Sequence, residues 1–160
     1  MPLNPLTLKN EIKKVCDKAS SGEEVSFIDM IGAVNTYILE MQYPPPVGAS
    51  SGIQTMKSVM GSVTFQISSA APSLFDSAFV QLGIALSSAV PIGSSLVFPT
   101  IPPIGTPGLK SVFSNTQNAE IFATNFSTKV DTWIRTGQYD AFGIPAAPPA
   151  PPVPVPTPWT

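Results

Sequence analysis

Histidine is absent from this chain, and Cys16 is its lone cysteine. The first absence removes the usual near-neutral acid–base group and the commonest metal ligand, and the second excludes an intrachain disulfide. Charge is scarce as well. Lysine and arginine together number 8 and the acids 10, so charged residues make up 11% of the chain against a usual ~25%. With a net charge of −2 and no long basic run, the electrostatic footprint that nucleic-acid binding requires is missing. The start, Met1-Pro2-Leu3-Asn4-Pro5, lacks the basic and apolar regions of a secretory signal, and none is expected. Proline, by contrast, is abundant, with 19 residues in 160.

Apolar spacing organises the chain into helices. Asn4 followed by Pro5 fits an N-cap with proline at the first helical position, and Leu8, Ile12, Val15, Cys16 and Ala19 fall on one face of a helix ending near Ser20 to Gly22. That placement makes Cys16 a packing residue. Ser26 with Asp29 resembles a capping box, and Phe27, Ile31, Val34, Ile38 and Met41 continue at alternating steps of four and three until Pro44, Pro45 and Pro46. Ile53, Met56, Met60, Val63 and Ile67 predict a third helix, broken at Ala71-Pro72-Ser73, and Phe75, Phe79, Leu82 and Leu86 a fourth reaching Val90-Pro91. Residues 91–108 (PIGSSLVFPTIPPIGTPG) read as an extended, packed connection with room for a short strand at Ser95 to Phe98. Leu109, Val112 and Phe113 mark a short helix, and Ile121, Phe122, Phe126, Val130 and Trp133 the last long one. Eight prolines between Pro145 and Pro158 predict a polyproline II tail ending at Trp159.

Two stretches repeat each other. Val34 to Tyr43 reads VNTYILEMQY and Val130 to Tyr139 reads VDTWIRTGQY; each closes a helix and runs toward prolines. A second echo pairs Gly52 to Met60 (GIQTMKSVM) with Gly105 to Phe113 (GTPGLKSVF). The simplest expectation is a mainly α fold: a small bundle of helical hairpins at about 4–43, 51–90 and 107–139, with a possible internal duplication, extended proline-rich loops and a proline-rich arm at 144–160. Residues 1–143 then form the helical-hairpin domain. Hairpins of this size cannot bury their apolar faces alone, so neighbouring copies must stack.

No chemistry is spelled out. Glu23 and Glu24, adjacent and therefore divergent, suit a helix's first turn, and Asp131 with Arg135 reads as an ordinary i,i+4 surface pair. No phosphate-cradling glycine loop, CxxC, HExxH or GxSxG occurs. Catalytic and cofactor-binding residues are therefore expected to be none, with no metal and no small-molecule substrate; an enzyme would require Asp76, Asp131 or Asp140 to converge in one cleft. Residues 77–109 carry no charge, yet Pro91, Pro99, Pro102, Pro103 and Pro107 interrupt them, leaving a helical part too short to span a bilayer. A membrane-active or secreted effector using this stretch is the alternative reading. Proline-rich segments dock at low entropic cost into aromatic grooves. Partner contacts are accordingly expected at Tyr43, Tyr139, Pro149, Pro152, Pro154 and Trp159, with Trp159 as an anchor in a neighbouring molecule.

The charge-poor composition, the PPIGTPGLKSVF loop into a helix, the A-x-x-F-x-x-x-V-D-x-W-I-R-T-G helix at Ala123 to Gly137 and the proline-rich end resemble small virion structural proteins of contractile-tailed phages, especially those of marine and cyanobacterial hosts. The resemblance lies mainly in residues 91–160. It implies a non-enzymatic subunit of the tail, baseplate or neck, located in the virion after synthesis in the host cytoplasm, whose partners are other virion proteins or copies of itself. It transfers no functional residues.

Overall fold

Helices α1 (Pro5–Ser20), α2 (Phe27–Ile38), α3 (Ala49–Met60), α4 (Ala71–Ser88), α5 (Lys110–Ser114) and α6 (Ala119–Ile134) supply most of the regular structure, in a computed structural model that describes residues 3–42, 46–61, 70–88, 97–114, 118–143 and 153–160. The fold is mainly α. A 3₁₀ turn at Pro46–Gly48 leads into α3. Strands β1 (Val97–Ile101), β2 (Gln138–Gly143) and β3 (Val153–Pro158) form an antiparallel sheet in the order β1-β2-β3.

The helix boundaries follow from local chemistry. Asn4 accepts the Leu6 N–H at 3.0 Å and Pro5 occupies the first turn, so α1 begins where an orphan donor finds a side chain. The capping box opens α2: the Ser26 N–H donates to Asp29 Oδ2 at 2.7 Å. Glu23 and Glu24 precede this cap and do not belong to the first turn of the helix. Asn118 caps α6 by accepting from the Ile121 N–H at 2.9 Å. A longer-range cap serves α5, where Asp76 of α4 accepts from the Gly108 and Leu109 N–H groups at 3.0 and 3.1 Å. Ala71 and Pro72 start α4; Val63 and Ile67, expected to extend α3, lie outside the described residues.

The pairs α1–α2 and α3–α4 pack as expected for hairpins, and α1 also lies along α6, which brings the first and last long helices side by side. Lys9 of α1 bridges Glu120 of α6 across that contact, at 2.5 Å. Lys13–Asp17 and Glu11–Lys14 pairs line the outer surface of α1. Phe27, Phe75, Phe79, Phe113, Phe122, Phe126 and Trp133 touch in a chain of edge, tilted and stacked contacts that carries the core from α2 through α4 to α6. Cys16 is half-buried against this core, and burial raises its thiol pKa, as a packing residue requires.

The sheet is where the structure departs from the expected arm. Residues 153–158 are not a free polyproline segment: they pair with β2 along its whole length, from Gly143↔Val153 to Gln138↔Pro158. Proline is tolerated because of parity. In an antiparallel strand the N–H and C=O of alternate residues face the same neighbour. The Trp159 N–H, one step beyond β3, donates to the Gly137 carbonyl at 3.0 Å, which assigns Val153, Val155 and Thr157 to the side facing β2. Pro154, Pro156 and Pro158 then face outward, where the missing N–H costs no ladder bond. By the same parity Phe98 faces β2 from the other side and Pro99 faces out. Strand β1 overlaps the expected strand at Val97 and Phe98 and continues to Ile101 past an irregularity between Pro99 and Ile101.

Candidate partner-binding surface

The repeated sequence marks two helix exits, and the structure brings both to one place. Val34 and Val130, Tyr37 and Trp133, and Ile38 and Ile134 are all buried. After α2 the chain turns at Leu39 and Glu40, well before the prolines expected to end the helix, and the Gln42 N–H donates to the Thr160 carbonyl at 2.8 Å. After α6, Gly137 receives the Trp159 N–H and Gln138 lies opposite Pro158. Residues 158–160 are thus held by both copies of the motif.

Trp159 is 0% exposed, with its ring against Gly137. A Cβ on Gly137 would come within 2.5 Å of the indole, so glycine here is a condition of the ring's seat. Burying a tryptophan removes 150–250 Å² from water, which at about 25 cal/mol per Å² contributes roughly 4–6 kcal/mol. The indole Nε1–H is buried without a hydrogen-bond partner among the described residues, which offsets about 1–3 kcal/mol of that gain. Trp159 is therefore buried in its own chain and is not, as the sequence suggested, an anchor in a neighbour; Gly137, in the second copy of the motif, leaves the room its ring occupies. Pro154 is likewise committed to β3, opposite Phe142. Tyr139 lies in β2 between Pro99 and Thr157, and Tyr43, Pro149 and Pro152 lie outside the described residues.

Behind this seat, Asp131 ties three segments together. Its Oδ1 accepts the Tyr37 hydroxyl at 2.5 Å and its Oδ2 the Arg135 Nε at 2.9 Å, while the Arg135 guanidinium also donates to the Leu3 carbonyl at 2.8 Å. Burial, then the hydrogen bond to Asp131, pushes the Tyr37 pKa far above its ordinary value. The pair expected to be plain helix surface is thus the centre of a partly buried network. Asp76, engaged with Gly108 and Leu109, and Asp131, engaged with Tyr37 and Arg135, serve separate structural contacts, and Asp140 lies in β2 opposite Phe98 and Pro156.

The outer surface is polarised. Half of the chain's charged residues fall between Lys9 and Asp29, on α1 and the entry to α2, whereas residues 77–109 have none. In that uncharged region Ile84, Ile101 and Ile104 are 46%, 44% and 69% exposed. The segments that carry them meet: Gly83 packs against Pro103, so closely that a Cβ on Gly83 would lie 3.0 Å from the proline ring. Trp133 Nε1 donates to the Gly105 carbonyl and Thr136 Oγ1 accepts from the Ile104 N–H, which pins the loop carrying Ile104 to the end of α6. A shallow groove lined by Ile104, Pro107, Lys129, Thr132 and Trp133 runs beside it. Sequence reasoning missed these isoleucines as surface residues; their signal was the absence of any charge around them. Among the described residues no helix is long and apolar enough to cross a membrane. Comparison with models of protein families, with curated proteins and with solved structures gives no match.

Proposed function

We propose that this chain is a non-enzymatic structural subunit of a contractile-tailed phage virion, part of its tail, baseplate or neck, which assembles with other virion proteins or with copies of itself. One observation carries the reading: Ile84, Ile101 and Ile104 are exposed in a stretch, residues 77–109, that contains no charged residue, whereas half of the chain's charges fall between Lys9 and Asp29. Clustered apolar side chains on a rigid surface favour protein contacts, because covering them removes apolar area from water without ordering new chain. The expected polyproline arm does not take part in this contact from residue 153 onward, since those residues serve the chain's own sheet and core. The membrane-active alternative uses the same uncharged stretch and makes a different prediction. Mass spectrometry and antibody labelling of purified contractile-tailed particles encoded with this sequence should place the chain in the particle at a constant ratio to other subunits. Its absence from the particles, or binding of the purified chain to liposomes that is lost in Ile101→Asp/Ile104→Asp, would sink the virion reading.

A further inference from the structure

The prolines of the sheet all face its outer edges. The outermost strands are β1 and β3, and the alternation set by the bond from the Trp159 N–H to Gly137 turns Pro99 of β1 and Pro154, Pro156 and Pro158 of β3 away from β2. At those positions the free edge of β3 presents carbonyls and no N–H, and the free edge of β1, before its irregularity, presents an N–H at Val97 alone. We propose that these prolines close the sheet to strand addition, so that no further chain, a second copy included, lengthens it and association is confined to the other surfaces. This goes beyond the virion reading and stands independently of it.

A sheet edge is a row of unpaired donors and acceptors that templates pairing with another chain, and proteins blunt it with charge, bulges, covering segments or proline. Charge is not used here. The outer strands, VFPTI and VPVPTP, contain no charged residue, and Asp140, the one charge in the three strands, sits in the central one. What the outer strands do contain is valine, phenylalanine, threonine and isoleucine, residues that favour strands and, in a charge-free segment without proline, stacking into further sheet. Proline placed at positions that do not serve the native ladder breaks that hazard at no cost to the fold. Val153, Val155 and Thr157 keep the N–H groups that face β2, so the intrachain pairing is intact. A strand arriving beside β3 finds an acceptor but no donor at each of the proline positions, so half of the bonds it would exchange there cannot form. Strand β1 adds a second device, the irregularity between Pro99 and Ile101.

The test restores the missing donors in the full-length chain. With Ile104→Lys as a common background, which separates strand addition from contacts through the isoleucine surface, Pro154→Thr/Pro156→Thr/Pro158→Thr is compared with its parent by light scattering over a concentration series and by hydrogen exchange of the three new amides. Closure by proline predicts that the triple variant keeps the parent's helical circular dichroism, gains scattering mass several-fold as concentration rises, and protects the new amides only when associated. Pro156→Thr alone should move the same readings in the same direction by less, and it decides the matter if the triple variant loses its helical signal. Val155→Pro, which removes a donor on the inner side, should instead lower the Tm. A restored chain that stays at its parent's mass at every concentration, or that associates while the new amides exchange freely, overturns the proposal, as does a Val155→Pro chain with an unchanged Tm.

Discussion

The two exits of the repeated motif do different work with nearly the same residues. In the first, the aromatic is Tyr37, whose hydroxyl reaches across to Asp131; in the second it is Trp133, whose indole N–H reaches the Gly105 carbonyl. The position held by buried Met41 in the first is Gly137 in the second, and that one difference opens the seat of Trp159. Asn35 of the first copy becomes Asp131 in the second, and with Arg135, one turn further on, it becomes a tie between α2, α6 and the Leu3 backbone. A shared pattern of buried residues places two helix ends alike, and single departures from it assign each end its contacts.

The largest test of this comparison makes the second exit resemble the first. Gly137→Met puts a side chain where the indole lies, and should destabilise the chain by about 3–5 kcal/mol, as much as Trp159→Ala, in denaturant unfolding followed by circular dichroism. The double variant should lose much less than the sum, because the new side chain then has no ring to meet. Additive losses would show that the two residues do not share a space.

Next in size is the Asp131 network. Asp131→Asn, which copies the first motif into the second, removes the ion pair with Arg135 and should cost about 1–3 kcal/mol; Tyr37→Phe, which leaves a carboxylate oxygen short of a donor, should cost about 1–2 kcal/mol. The pH dependence has a fixed sign. A tyrosine held neutral in the folded chain but free to ionise when unfolded contributes stability that is complete below pH ~10 and declines as pH rises above it, by up to about 1.4 kcal/mol per pH unit. Tyr37→Phe should flatten that decline in unfolding measured from pH 9 to 11. Smaller again, Asp76→Ala should cost about 0.5–2 kcal/mol through lost capping of the turn before α5, read as a lower Tm. Ile104→Lys should change stability by less than about 0.5 kcal/mol and act on association alone, seen by light scattering.

Helical periodicity made most of the body legible. Leu8, Ile12, Phe27, Ile31, Val34, Phe75, Phe79, Leu82, Phe126 and Val130 are all core residues in the positions their spacing implies. Asn4 and Ser26 announced their caps because capping is local. What escaped were effects that need a distant partner. Asp131 and Arg135 look like a solvent-exposed pair until Tyr37, 94 positions earlier, and Leu3 come alongside. Asp76 shows no sign in sequence of capping a turn 32 residues on. The last strand was hidden by its prolines, which normally argue against a strand; the trace that remained was their strict alternation with Val153, Val155 and Thr157, a period of two that polyproline II does not require.

Everything at the two exits depends on whether Trp159 is inside. The chain has two tryptophans, so Trp133→Phe leaves Trp159 as the sole emitter. Its fluorescence should be blue-shifted and shielded from acrylamide in the folded chain, and should move to the solvent-exposed value in the same denaturant transition that melts the helices. Solvent-like emission and free quenching while the helices remain intact would contradict its place in the core.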